Sequence, residues 1–164
     1  MMDGKRVLFL VLGIVLLGMF FGPASPAGAS EVGLSKGQTV YVPAYSHIYH
    51  GDRNQPFNLT VTLSIRNTDP EHPISVIAVD YFDSEGKAVR NLQPAEVVLK
   101  PMGSKDYVVK ESDTSGGSGA NFVVRWKSGT KVTEPVIEAV MIGTQTQQGI
   151  SFTSRGKVIR EESN

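Results

Sequence analysis

The fold is decided by one stretch of the chain, Phe57 to Asn67, which reads FNLTVTLSIRN. Large apolar residues occupy every second position from Phe57 to Ile65, and polar residues occupy the positions between them. Because successive side chains of a β-strand point to opposite faces of the sheet, this period of two gives one apolar and one polar face. The stretch therefore predicts a half-buried β-strand.

Similar short segments continue along the chain, separated by turn signals such as the two prolines at 70 and 73 and the sequence DSEG at 83–86. We predict further strands at 39–42, 74–82, 87–90, 96–99, 105–110, 121–127, 136–142, 149–153 and 157–160. The one helical alternative, 134–140, is rich in β-branched residues, so we interpret it as a strand. The pattern predicts an all-β fold, a single antiparallel β-sandwich of immunoglobulin-like architecture with about 7 to 9 short strands.

Residues 1–29 have the layout of a secretory signal peptide. Lys5 and Arg6 precede an apolar run at 7–21, and the small residues Ala-Gly-Ala follow at 27–29. Because a helix that spans a bilayer needs about 20 apolar residues, we expect cleavage and an exported protein, periplasmic or extracellular. The alternative is an uncleaved leader that anchors the protein to the inner membrane by residues 7–21.

Composition limits the classes of partner. Without the leader the chain has 14 basic and 15 acidic residues, so it offers no basic field to nucleic acid. It contains no cysteine, which excludes disulfides and a lipid-modified cysteine anchor. The remaining length predicts one domain: a flexible lead-in at 30–38, the sandwich at 39–160 and a tail at 161–164.

Three stretches carry a resemblance to a known family: YVPAYSHIY at 41–49, ESDTSGGSGANF at 111–122 and QGISFTSRG at 148–156. Together they resemble an exported bacterial family catalogued only as a domain of unknown function, over about 39–159. The resemblance implies export and one domain, and it implies no catalytic residues. Residues 57–86 are also similar to the immunoglobulin-like domains of desiccation-related proteins, which bears on the fold alone.

The glycine-rich segment 111–119 is the strongest candidate site. Its four residues Gly-Gly-Ser-Gly at 116–119 free the backbone, so the loop could turn amides toward an anion or oxygens toward a cation. The ordinary explanation is a tight connection between strands in which Asp113 bonds local amides. In a binding loop Asp113 and Asn121 would orient the glycines, and Arg155 could pair with Asp113 or with a ligand carboxylate.

A second candidate is the tyrosine and histidine segment that follows the first strand. Tyr45, His47 and Tyr49 could line a shallow recognition surface for peptide or glycan, or they could simply cover one end of the sandwich. His47 and His50, with Asp52, could hold a metal only if a turn brought them together, because positions three apart on a strand face opposite ways. The full set of candidate ligand-binding residues is Tyr45, His47, Tyr49, Asp113, Ser115, Gly117, Asn121 and Arg155.

We expect a non-catalytic binding or structural module without a cofactor, whose candidate partners are an envelope protein, a peptide or a glycan. One alternative is a periplasmic metal-binding protein that uses His47 and His50. Another is a hydrolase of an envelope polymer, for which serine, histidine and Asp113 are present without the Gly-x-Ser-x-Gly spacing of a nucleophile elbow.

Overall fold

The computed structural model describes residues 32–52, 54–144 and 149–162, so the predicted signal peptide lies outside the described residues. Within those ranges the chain forms twelve β-strands and no helix. The strands are β1 (Leu34–Pro43), β2 (His47–His50), β3 (Gln55–Asn58), β4 (Thr60–Arg66), β5 (Ile74–Phe82), β6 (Ala88–Asn91), β7 (Val97–Leu99), β8 (Ser104–Val109), β9 (Asn121–Thr133), β10 (Val136–Gly143), β11 (Ile150–Arg155) and β12 (Lys157–Glu161).

The described residues contain no helix that is both long and apolar enough to span a membrane.

The strands form two main antiparallel sheets and one hairpin. A six-stranded sheet has the order β12-β1-β9-β5-β6, and β7 also pairs with β5. A four-stranded sheet has the order β11-β10-β4-β8, and β2 pairs with β3 alone. One apolar cluster takes residues from both sheets, so their inner faces share a core. The predicted all-β antiparallel sandwich is confirmed, with more strands than expected.

The largest core side chains come from the middle strands of the sheets. Trp126 is fully buried together with Tyr81 and Phe122, and the rings of Tyr81 and Phe122 lie 5.0 Å apart. From the four-stranded sheet, Leu63 and Met141 are likewise fully buried. Because no disulfide is present, apolar burial carries the fold.

The stretch that predicted the fold forms two strands rather than one. Val61, Leu63 and Ile65 of β4 are fully buried, as the alternation requires. The ladder breaks at Leu59, whose amide donates to the carbonyl of Ser46 at 2.9 Å. The part before the break, β3, therefore pairs with β2 and leaves the four-stranded sheet.

The predicted flexible lead-in at 30–38 is wrong for residues 34–38, which belong to β1. The polar side chains there are buried because they have partners: the Gln38 amide donates to the carboxylates of Glu134 and Glu161, each at 2.7 Å, and Ser35 donates to Glu161 at 2.7 Å. These bonds compensate the loss of water around buried polar groups. The predicted tail is likewise shorter, since Glu161 ends β12.

One glycine carries the chain from one sheet to the other. Strand β11 lies at the edge of the four-stranded sheet and β12 at the edge of the six-stranded sheet, and only Gly156 separates them. A Cβ atom on Gly156 would lie 2.6 Å from Cγ1 of Val40 and 2.9 Å from the carbonyl oxygen of Ile137. The close approach requires glycine at this position.

Asp69 joins several connections at the end of the molecule where β9 finishes. Its Oδ1 accepts hydrogen bonds from the amides of Glu71 and His72, and its Oδ2 accepts one from the amide of Thr133. The Glu71 amide, followed by those of His72 and Thr133, lowers the pKa of Asp69 to about 2 against the opposing effect of burial. The carboxylate thus fastens the 67–73 connection to the end of β9.

Candidate functional site

The glycine loop, residues 111–119, is fastened to two neighbouring connections by serines. Ser84, in the turn between β5 and β6, donates its amide and its hydroxyl to the carbonyl of Gly116, at 3.0 and 3.1 Å. Ser46, between β1 and β2, does the same to the carbonyl of Gly117, at 3.1 and 3.0 Å. The loop is therefore held in one conformation by both of its neighbours.

Two of the glycines are required by this packing. Gly117 has a φ of +74°, in the left-handed region that residues with a Cβ rarely adopt. A Cβ atom on Gly116 would lie 2.0 Å from the hydroxyl oxygen of Tyr81 and 2.7 Å from the Cβ of Ala120. The loop thus sits directly on the buried ring of Tyr81.

An ion pair closes the outer side of the loop. The guanidinium of Arg90, on β6, contacts Oδ2 of Asp113 at 2.7 Å and lies 5.6 Å from the centre of the Tyr81 ring. The Ser115 hydroxyl and amide donate to Oδ1 of the same carboxylate, at 2.5 and 3.1 Å. Partial burial alone would raise the pKa of Asp113, but the bonds from Ser115 and Arg90 lower it.

The loop amides do not form an anion cradle. The amide of Ser115 donates to Asp113, that of Gly117 to the carbonyl of Thr114, and that of Gly119 to the hydroxyl of Ser84. These donors already have partners inside the protein. The observed geometry is the tight connection, with Asp113 bonding a local amide, that the sequence offered as the ordinary explanation.

Two adjoining clefts flank the start of this loop. One, of about 450 Å³, is lined by Asn58, Lys110, Glu111 and Ser112. The other, of about 420 Å³, is lined by Arg90, Leu92, Val108, Lys110, Ser112 and Asp113. Because Lys110 and Ser112 line both, we treat the two clefts as one surface and call it the trough. It combines a lysine and an arginine with the carboxylates of Glu111 and Asp113 and with hydroxyl, amide and apolar groups.

The histidines of the second candidate segment make separate contacts. His47 Nε2 lies 3.2 Å from the hydroxyl of Tyr49, and His47 Nδ1 lies 3.3 Å from that of Ser46. The ring of His50 packs instead on Phe57, with 6.0 Å between ring centres. Across the described ranges no group of three or more His, Cys, Asp and Glu is placed to hold a metal ion, and Asp52 therefore completes no such group.

The remaining candidates are dispersed. Tyr45 packs on Phe152, with 5.6 Å between ring centres, so it covers the sandwich. Asn121 begins β9 and is almost completely buried. Arg155 lies opposite Glu138 and lines a separate cleft of about 210 Å³ between β10 and Gly156. The predicted pairing of Arg155 with Asp113 is wrong.

The residue types of a serine hydrolase do not assemble at the loop. Ser115 donates directly to Asp113, which is paired with Arg90. The His47 ring contacts Ser46 and Tyr49. In a catalytic triad the histidine would lie between the serine and the acid.

Four residues of this site were missed by sequence reasoning: Ser46, Ser84, Arg90 and Lys110. Ser84 lies in a turn that was recognised, but its hydroxyl bonds a loop more than thirty positions away. Arg90 ends a predicted strand and looks like an ordinary exposed cation. The one available signal was Lys110, since it directly precedes the loop.

Comparisons with known proteins identify a family. The profile described as "Protein of unknown function (DUF3124)" matches residues 37–159. No curated protein matches the sequence. Among solved structures, the crystal structure of Thermotoga maritima 1070 is similar, with 13% sequence identity and a TM-score of 0.46 over 76% of this chain and 97% of that one.

Proposed function

The chain belongs to the DUF3124 family of proteins of unknown function, and we propose that it is an exported, non-catalytic binding module whose recognition surface is the trough. Export is proposed from the leader at 1–29. The single observation that carries the binding role is the sharing of Lys110 and Ser112 by two adjoining clefts beside a fastened loop.

Preorganisation supports this role. A binding loop that is already ordered loses little conformational entropy when its ligand arrives. The glycine loop has that property, because Ser46, Ser84 and Arg90 hold it from three sides. The bonds that hold the loop are made to the carbonyls of Gly116 and Gly117 and to the carboxylate of Asp113. They do not use the side chains of Lys110 and Ser112, which line the clefts.

Charge also supports a binding role. Arg90 is neutralised by Asp113, and the ammonium of Lys110 makes no ion pair or hydrogen bond among the described residues. An unpaired cation between two clefts favours a ligand with an acidic group. The candidate ligands are therefore acidic components of the cell envelope.

The test is co-sedimentation of the purified full chain with isolated cell-wall sacculi and with envelope membrane vesicles. We expect the wild type to sediment with one of them, and Ser112→Trp, which places a large ring where the two clefts meet, to remain in the supernatant. Lys131→Glu, an exposed position on β9 outside the trough, is the matched surface control and should behave as the wild type does. Equal sedimentation of the wild type and Ser112→Trp, or none by the wild type, would reject the trough as a binding surface.

A further inference from the structure

The cleft of about 420 Å³ in the trough lies between two strands that end their sheets. Strand β6 is the last of the six-stranded sheet, and β8 is the last of the four-stranded sheet. Arg90 and Leu92 line one wall of the cleft, and Val108 and Lys110 line the other. Throughout the part of the chain that the structure describes, β8 pairs with β4 alone. One edge of its backbone is thus available for pairing.

An edge strand is a template for another strand, because its outward amides and carbonyls lack partners in the sheet. Peptides that bind in this way gain affinity from main-chain bonds and specificity from every second side chain. From this geometry, and resting on the proposed function of the trough, we propose that its ligand is an acidic, extended polypeptide segment that adds to the sheet along β8.

The side chains beside the edge specify the sequence of that segment. Val108 is 56% exposed although it is a large apolar residue, and it could cover an apolar side chain of the incoming strand. Lys110 directly follows the end of β8, two positions beyond Val108, and its side chain is exposed as that of Val108 is. The preferred segment therefore has an acidic and an apolar residue separated by one position.

Two acids line the trough, Asp113 and Glu111, and each already has an interaction of its own. Asp113 accepts from Arg90 and Ser115, which leaves Lys110 as the cation to be neutralised. A basic segment would meet the unpaired ammonium of Lys110 and be repelled. Charge complementarity thus favours acidic over basic partners.

The experiment is fluorescence anisotropy of the full chain with a short labelled peptide that alternates threonine and valine around one central glutamate. Matched peptides carry glutamine or lysine in place of the glutamate, and a fourth carries N-methyl groups along the edge that would pair. We expect the glutamine peptide to bind about fivefold more weakly, as loss of one exposed ion pair implies. We expect N-methylation to abolish binding, and added salt to weaken it.

Lys110→Glu supplies the reciprocal test, because this variant should prefer the lysine peptide over the glutamate peptide. Lys131→Glu is the control and should keep the wild-type order. Equal binding of the glutamate and glutamine peptides, or binding that survives N-methylation, would overturn the proposal. The peptide exchange needs no protein variant, so misfolding of Lys110→Glu would leave the test decisive.

Failure here is distinguishable from failure of the proposed function. Absence of peptide binding, with sedimentation that Ser112→Trp still abolishes, would overturn the peptide proposal and leave a glycan or lipid as the ligand of the trough. In that case Lys110 serves to protect the edge of β8 from aggregation. If the peptide does not bind and Ser112→Trp does not change sedimentation, the trough is rejected as a binding surface.

Discussion

Replacing Tyr81 by phenylalanine should keep or increase the stability of the protein. The side chain is fully buried, and its hydroxyl makes no hydrogen bond among the described residues. A buried polar group without a partner costs about 1–3 kcal/mol of folding free energy, and removing the oxygen sacrifices contacts worth up to about 1 kcal/mol. We therefore expect a change in the free energy of unfolding between zero and a gain of about 3 kcal/mol.

Tyr107→Phe is the matched control, because the same atom is removed from a hydroxyl that has a partner. Tyr107 donates to Oε1 of Gln93, which is itself buried. The substitution leaves that oxygen unpaired and should destabilise the protein by about 1–3 kcal/mol. The two tyrosines thus differ in the sign of the expected effect.

The assay is urea unfolding followed by the fluorescence of Trp126, the one tryptophan in the chain, which is fully buried. A loss of more than about 1 kcal/mol in Tyr81→Phe would refute the reasoning, since it would mean that the hydroxyl has a stabilising partner. A gain in both variants would also refute it.

The same residue should respond to alkaline pH. Burial, with a further contribution from the nearby carboxylate of Asp113, raises the pKa of Tyr81 to about 12, against the opposing effect of Arg90. Because this pKa is higher in the folded state, the unfolded chain releases the phenolic proton first, and stability falls as the pH rises from about 10, the unfolded pKa, toward 12. Tyr81→Phe should lose less stability over that window than the wild type, as the same urea assay would measure.

Three further predictions concern Asp69, the glycine loop and the leader. Asp69→Asn should lower the stability at neutral pH and should make the stability less sensitive to acid. The pKa of the folded carboxyl is lowered to about 2, so the carboxylate stabilises the protein above about pH 3.8 and loses this effect as the pH falls toward 2. Urea unfolding midpoints measured across that pH range would test this, and an acid sensitivity equal to that of the wild type would contradict it. Gly117→Val should cost about 1–3 kcal/mol and weaken envelope binding, since φ is +74°, whereas Gly129→Val, where a Cβ meets nothing within 4 Å, should be tolerated. Equal unfolding curves for these two variants would contradict that account. Finally, mass spectrometry of the exported protein should give the mass of a chain that begins at Ser30, and an intact leader would favour the anchor.

The strands that were predicted well are those in which burial alone sets the pattern. Strand β5 has the predicted bounds, 74–82, and the central apolar residues of β4 are buried as expected. The pattern failed where polar residues are buried with partners, as Gln38 is, because a buried glutamine and an exposed one look alike in a sequence. It also failed for β2, a four-residue strand with no fully buried side chain.

The glycine loop was recognised from the sequence, but the trough was not, since Asp113 is the one predicted site residue that lines it. The glycine loop was singled out correctly as a place where the backbone needs freedom, and Gly117 has the expected positive φ. Its contacts could not be read from the sequence, because Arg90 and Asp113 are 23 positions apart and no local period relates them. Lys110, which lines both clefts of the trough, was not singled out either, because lysine is common at the exposed ends of strands.

The pairing of β1 has a consequence for the timing of folding. This first strand pairs with β9 and β12, so its hydrogen-bonded neighbours are supplied by the last third of the chain. Contacts between distant parts of a chain form slowly, since a long loop must close before they stabilise anything. The six-stranded sheet therefore cannot be completed until residues 157–161 have been synthesised. For the export that we propose, β1 would cross the membrane first and would wait there, unpaired, for β9 and β12 to follow it.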